Sequence, residues 1–292
     1  MLIEQLINGI TTGSIYAIVA LGFTLVFGVL GILNMAHGEI FMFGAFMGVV
    51  VTTKLDGPLW LSFLAAIVVT AILGYLLETF ALNPLRNKEG VSHLAPLIST
   101  IGVSIFLENL ADKIFGSGNQ PVNNRLSEMH FSVGSVNIYV VQIVIFCIAI
   151  ALMVALSYWL LKTKGGKALR AAAENLETAS LLGVNTKRII TVTVVLASVI
   201  GGIAGILVGM AYSSVSPQMG LSMGLKGLAI IILGGMGNVK GAVVGGMILG
   251  LSETVVVTMG YSGYRDAIAF VMIIIILLVR PQGIFGKKEE AA

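Results

Sequence analysis

The sequence predicts an all-α, polytopic integral membrane protein of about 8–10 transmembrane helices, some of them broken or short. Three observations carry that expectation. Only 11% of the 292 residues are charged and 57% are hydrophobic, with a mean hydropathy of +1.00. A soluble domain carries about a quarter charged residues, so this chain cannot cover a globule in water. About nine runs approach the roughly 20 apolar residues that a helix needs to cross a bilayer. Finally, the 36 glycines fall within those runs as well as between them.

In chain order the runs cover residues 10–33, 36–53, 59–82, 94–111, 137–161, 189–211, 223–236, 239–257 and 266–280. "NMAHGE" separates the first two and "GMGNVK" the seventh and eighth, so each joint is read as a tight turn or a broken helix. The start, "MLIEQLINGITTGS", lacks the basic segment of a cleavable signal peptide, and the first span is expected to direct its own insertion. The whole chain, 1–292, reads as one transmembrane domain, with a polar loop at 162–188 and a second loop at about 112–136.

Lys and Arg set the expected orientation. With the 162–188 loop cytoplasmic and spans alternating, that side receives Arg86, Lys88, Lys162, Lys164, Lys167, Arg170, Lys187, Arg188, Lys240, Arg280, Lys287 and Lys288. The other side receives Lys54, Lys113, Arg125 and Arg265, while Lys226 stays inside a span. Twelve against four is the bias of the positive-inside rule. It puts the C-terminus in the cytoplasm and the N-terminus outside. The basic residues are spread among loops, which gives no nucleic-acid surface.

"VIGGIAGILVG" and "GAVVGGMILG" place small residues three or four apart, as closely packed membrane helices require. "NMAHGEIFMFGAF" and "GMGNVKGAVVGGM" echo one another in pattern, a weak internal repeat of the kind transporters carry. Catalytic signatures are missing: no GxxxxGK[ST] phosphate loop, no GxSxG elbow, and His37, His93 and His130 far apart. The lone Cys147 forms no intrachain disulfide. No enzyme, metal or cofactor is expected. Glu78, Glu108 and Glu253 fall near span ends, where snorkelling or capping accounts for them, and Lys226 reaches an interface if its helix starts near 223.

The polar interruption "KTKGGKALRAAAENLETASLLGVNTKR" is the strongest functional clue. Residues 166–183 read as a single amphipathic helix: Leu169, Ala172, Ala173, Leu176 and Ala179 recur at helical spacing, and Gly183 supplies the stop. Its small apolar side suits a protein groove better than a lipid surface. "NMAHGE" places Asn34, His37 and Glu39 beside Gly-rich spans, as a gate near one end of a pathway or as caps for a broken helix. Gly235, Gly237 and Asn238 are the matching candidates in the second joint.

"ETASLLG", Glu177 to Gly183, resembles the EAA loop of ABC importer permeases, with Thr178 where that motif has its second alanine. The stretches 8–46, 169–185 and 234–246 resemble, in the same order, the LivH-type permeases of high-affinity branched-chain amino acid importers. The resemblance implies a permease subunit in the cell's inner membrane that translocates leucine, isoleucine and valine. Relatives carrying urea or short amides share much of the pattern, and an ATP-independent secondary transporter is the remaining alternative. It further implies a LivM-like second permease subunit, two ATP-binding subunits (LivG- and LivF-like) that hydrolyse the ATP, and an external amino-acid-binding protein. Helix 166–183 becomes a cytoplasmic coupling helix that contacts the ATPase through Ala172, Ala173, Glu174, Glu177, Ala179 and Gly183. The loop at 112–136 becomes a docking surface for the binding protein.

Overall fold

Each apolar run forms a helix in the computed structural model, which describes residues 2–86, 94–122, 126, 129–133 and 136–286. The runs become α1 (Leu2–Leu30), α2 (His37–Val49), α3 (Leu59–Leu76), α5 (Ala95–Phe115), α6 (Val140–Lys162), α9 (Thr186–Tyr212), α10 (Met219–Gly234), α11 (Val239–Thr258) and α12 (Arg265–Val279). Short π-helical turns extend α2 over Val50–Lys54 and join α3, through Leu77–Leu82, to α4 (Asn83–Arg86). Among the described residues six helices are long and apolar enough to span a membrane: Ile3–Leu30, Leu59–Arg86, Val140–Lys162, Thr186–Tyr212, Val239–Thr258 and Ser262–Val279. The chain is a multi-pass membrane protein. Helices α2 and α10 are shorter, and α5 carries Glu108, Asp112 and Lys113.

The ends of the helices sort onto two faces. The polar loop helices α7 (Lys164–Glu174) and α8 (Leu176–Leu181) lie with the C-terminal ends of α1 and α10, the turn 235–238 and the chain's segment 280–286. On the opposite face lie the start of α1, which meets the first turn of α6 through Asn8 and Gln142, and the ends of α5 and α9. The latter two are tied by strands too short for sequence reading. Gln120–Pro121 (β1) pairs antiparallel with Ser214–Val215 (β4), and the amide of Val122 donates to the carbonyl of Ser213. A hairpin of His130–Val133 (β2) and Val136–Tyr139 (β3) occupies the same face. Lys88, His93, Arg125, Lys287 and Lys288 lie outside the described residues.

Helix α1 is the axis of the bundle. Its span is 83% buried, against 22% for those of α3 and α6 and 6% for that of α12. Glycine lets its neighbours come that close. A Cβ on Gly246 of α11 would stand 2.5 Å from the amide nitrogen of Ala17 and 2.7 Å from its Cα. Leu251 and Met247 of α11 lie over Gly9 and Gly13 of α1, one helical turn apart. The stripe "GAVVGGMILG" is therefore a helix–helix seam in backbone contact. The second stripe, in α9, packs against α2 and α3, with Gly205 facing the backbone of Ala45 and Gly202 facing Thr70.

One expectation needs correction. The loop helix 166–183 is in fact two helices, α7 and α8, broken at Asn175, which leaves helical geometry (φ −160°, ψ 114°) and caps α8 by accepting from the amide of Thr178 at 2.8 Å. The two echoing segments also lie at different depths. The α10–α11 turn sits on the α7/α8 face, whereas residues 31–36 turn back into the bundle, so α2 begins inside it.

Candidate functional site

Three groups of residues stand out. The first is the re-entrant start of α2. His37 packs against Gly22 of α1, Gly201 of α9 and edge-on against Phe23, with ring centroids 4.6 Å apart. Gly22 lies eight residues from the end of α1, which at the helical rise places His37 about 12 Å inside the α7/α8 face. Asn34, His37 and Glu39 are 3%, 1% and 1% exposed. The six-residue return of 31–36 carries them inward from that face. Asn34 Oδ1 accepts from the amide of Ala36 (3.1 Å), and Met35 N–H donates to Thr100 Oγ1 of α5 (3.2 Å). Ser104 of α5 donates to Glu39 Oε1 (3.2 Å). The other carboxylate oxygen of Glu39, both ring nitrogens of His37 and the side-chain amide nitrogen of Asn34 have no partner among the described residues. Buried polar atoms are normally satisfied, so this is a polar cluster with spare bonding capacity deep among apolar helices.

The second group is the loop pair α7/α8. Thr163 caps α7 by accepting from Gly166 N–H at 3.0 Å. Gly166, Leu169 and Ala172 of α7, and Ala179 of α8, are buried in this chain. The alanine side predicted to face a partner is thus divided, because α7 lays Ala172 on its own bundle. Ala173, Glu174, Glu177 and Gly183 are exposed. Beside them Leu181 and Leu182 are 83% and 79% exposed on the polar loop. Gly183 has φ +87°, the left-handed conformation of a helix stop. A cavity of about 410 Å³ brings Ala172, Ala173 and Glu174 together with the end of α1 and with Gly237.

Asn238 and the two glycines form the rest of that junction. Gly235 and Gly237 have φ of +102° and +78°, which turns the chain sharply between α10 and α11. Asn238 caps α11, its Oδ1 accepting from the amides of Lys240 (3.0 Å) and Gly241 (3.1 Å), and its Nδ2 donates to the carbonyl of Phe285 (3.0 Å). Asn238→Ala removes cap and tether together. A lost cap costs about 1 kcal/mol, and residues 280–286 are expected to exchange amide hydrogens faster than in the parent. Unchanged exchange there would show that Asn238 holds nothing.

Sequence reading missed the third group. Lys226 of α10 and Glu253 of α11 are 5% and 0% exposed, buried within the bundle rather than snorkelling or capping at its surface. The Lys226 ammonium lies 2.9 Å from Glu253 Oε1, off the line of a hydrogen bond, and 2.8 Å from Asp266 Oδ1. It also donates to the hydroxyl of Tyr16 (2.9 Å), which donates to Glu253 Oε2 (2.6 Å). Arg265 Nε donates to that same oxygen (2.6 Å), and its guanidinium also donates to Tyr212. Two cations and two anions from α10, α11 and α12 cancel, as buried charge requires. The one sequence signal was Lys226 itself, a lysine stranded in an apolar helix. Arg265 and Tyr212 also border a cavity of about 370 Å³ on the face opposite α7/α8.

Many membrane-crossing helices around a buried polar cluster, with a capped helix pair projecting into water, have the make-up of a membrane transport protein. The family described as "Branched-chain amino acid transport system / permease component" matches residues 5–277, and the chain belongs to it. It is 37% identical to the high-affinity branched-chain amino acid transport system permease protein BraD of Pseudomonas aeruginosa and 36% identical to LivH of Escherichia coli K12, in each case over 98% of this chain and 96% of the relative. The ribose import permease protein RbsC of Haemophilus influenzae is 22% identical over 98% of this chain and 87% of its own. Among solved structures, a chain of PsaBC from Streptococcus pneumoniae in complex with Fab shares the fold, with TM-score 0.51 and 15% identity over 95% of this chain and 92% of that one.

Proposed function

We propose that this chain is one of two unequal permease subunits in an ATP-driven importer of leucine, isoleucine and valine across the inner membrane. Its partners are then a LivM-like permease, two ATP-binding subunits (LivG- and LivF-like) that hydrolyse the nucleotide, and an external binding protein. The substrate follows the relatives named above. The observation that carries the mechanism is the pair of exposed leucines, Leu181 and Leu182, on a loop otherwise rich in charge. Large apolar side chains held in water beside Glu174 and Glu177 suit a groove on a soluble subunit.

The α7/α8 face is then cytoplasmic. Among the described residues Arg86, Lys162, Lys164, Lys167, Arg170, Lys187, Arg188, Lys240 and Arg280 lie there, while Lys54, Lys113 and Arg265 lie on the other face. That puts the N-terminus outside and the C-terminus inside, with the β2–β3 hairpin positioned for the binding protein. Nucleotide-driven movement of the ATPases displaces α8. Ala172, Ala173 and Glu174 hand the displacement to the end of α1 and the Gly235–Asn238 turn, with which they share a cavity. A motor shifts such an equilibrium only by contacting the two states differently, and the exposed face of α8 is where those contacts form. Asn34, His37 and Glu39, with unused hydrogen-bonding groups, are the proposed gate. A zwitterion in transit needs several weak partners rather than a fixed opposite charge.

Uptake of radiolabelled leucine by vesicles, with and without ATP and the partner proteins, tests the assignment. Glu177→Arg with Gly183→Asp reverses a charge and puts a side chain at a left-handed position on the docking face. It is expected to abolish uptake and the stimulation of ATPase activity while membrane insertion stays normal. Unimpaired uptake in that variant, or uptake that needs no ATP, rules the reading out.

A further inference from the structure

A cavity of about 430 Å³ opens between α1, α6, α7 and the first turn of α11, and its lining has two halves. One is apolar: Leu160 and Leu161 of α6 with Leu169 of α7. The other is basic: Arg170 of α7 and Lys240 of α11, both exposed, and neither side chain has an ion-pair or hydrogen-bond partner among the described residues. The cavity sits at the ends of membrane-crossing helices, where the hydrocarbon core gives way to headgroups. Its side wall continues into the outer surface of α6, where Val154, Tyr158 and Leu161 are 62%, 65% and 58% exposed, as lipid-facing side chains are.

Thr24 adds an independent sign of an occupant. It lines the cavity, is 2% exposed, and its hydroxyl has no partner among the described residues. Ser62, in the first turn of α3, is likewise unpartnered among the described residues, but the hydroxyls of Thr11, Ser14, Thr70, Thr193 and Ser198 donate to the carbonyl four residues back. Thr24 does not. It lies six residues from the end of α1, about 9 Å below the helix end. A phospholipid whose phosphate sits at that end carries its ester carbonyls on the inward side, and these accept hydrogen bonds.

We propose that this cavity binds an anionic phospholipid, with the phosphate between Arg170 and Lys240 and an acyl chain along Leu160, Leu161 and Leu169. Basic pockets at the ends of membrane helices attract such headgroups. A free phosphate ion would meet the same two cations but would leave the apolar half and Thr24 unfilled, which is why a lipid is the occupant. Since Arg170 and Ala173 of α7 line the cavity, the bound lipid props the root of the loop helix pair against α1 and α6.

The test is native mass spectrometry of the full-length chain in mild detergent, titrated with phosphatidylglycerol or with phosphatidylcholine of the same acyl chains. One phosphatidylglycerol is expected to be retained in preference to phosphatidylcholine. Arg170→Gln with Lys240→Gln is expected to weaken retention about thirtyfold, a factor of about five for each lost cation. Should the double variant fail to accumulate, Lys240→Gln alone gives the about fivefold change. Thr24→Val, nearly the same shape, should weaken both lipids alike. Equal retention of the two lipids by the parent, or unchanged retention by the charge variants, overturns the proposal. So does displacement of the lipid by millimolar inorganic phosphate, which would mark a site for the free anion. The site depends only on the membrane placement of these helices, so its failure would leave the transport reading untouched.

Discussion

Glu253→Leu is expected to cost about 3–5 kcal/mol of bundle stability, as removal of one member of a buried ion pair does. The carboxylate is fully buried and holds three groups: Tyr16 and Arg265 on one oxygen, each at 2.6 Å, and Lys226 on the other at 2.9 Å. Without it the cluster carries a net positive charge. Asp266 alone faces Lys226, and its side chain is 68% exposed, so water weakens its hold. Thermal unfolding in detergent should show a lower Tm for Glu253→Leu. Adding Lys226→Leu should return part of the loss, because the remaining pair is again neutral. A double-mutant cycle isolates that coupling. A single variant as stable as the parent would mean that the pair is not formed.

Gly246→Val is expected to be as damaging for a steric reason. A Cβ at 246 already meets the backbone of Ala17 at 2.5–2.7 Å, and Ala17 is fully buried in the centre of α1. Overpacking usually costs about 1–3 kcal/mol when side chains can yield. Here the opposing atoms are main chain, so α1 and α11 have to separate along their seam. The variant should accumulate poorly and lose its folded fraction at lower temperature. Gly102→Ala is the matched control: it too is helical, but a Cβ there meets nothing within 4 Å, and it should behave as the parent. Normal accumulation and stability of Gly246→Val would refute the close seam.

Much of the fold was readable because its signal is local. Apolar length marks a helix wherever it occurs, and the Gly-rich stripes announced close packing before any partner was known. The break at Asn175 was not readable: helix-friendly alanines on both sides concealed it, and Thr178 stands where a capping box has Glu or Gln. Depth was not readable. "NMAHGE" looks like a surface turn, and only the return of residues 31–36 into the bundle buries His37 and Glu39. Nor was the partner of Lys226 legible. Glu253 is 27 residues away in sequence, and what joins the two is the crossing of α10 and α11 with Tyr16 of α1. Strands of two residues, such as Gln120–Pro121, leave no periodicity to detect.

The α1–α11 seam has a mechanical consequence. Met247 and Leu251 seat over Gly13 and Gly9 like teeth in notches cut one turn apart. Such a rack resists small slippage: the two rods travel together or advance by a whole notch, about 5.4 Å. Any flexing between states must therefore fall to the loosely held periphery, around a stiff central spine.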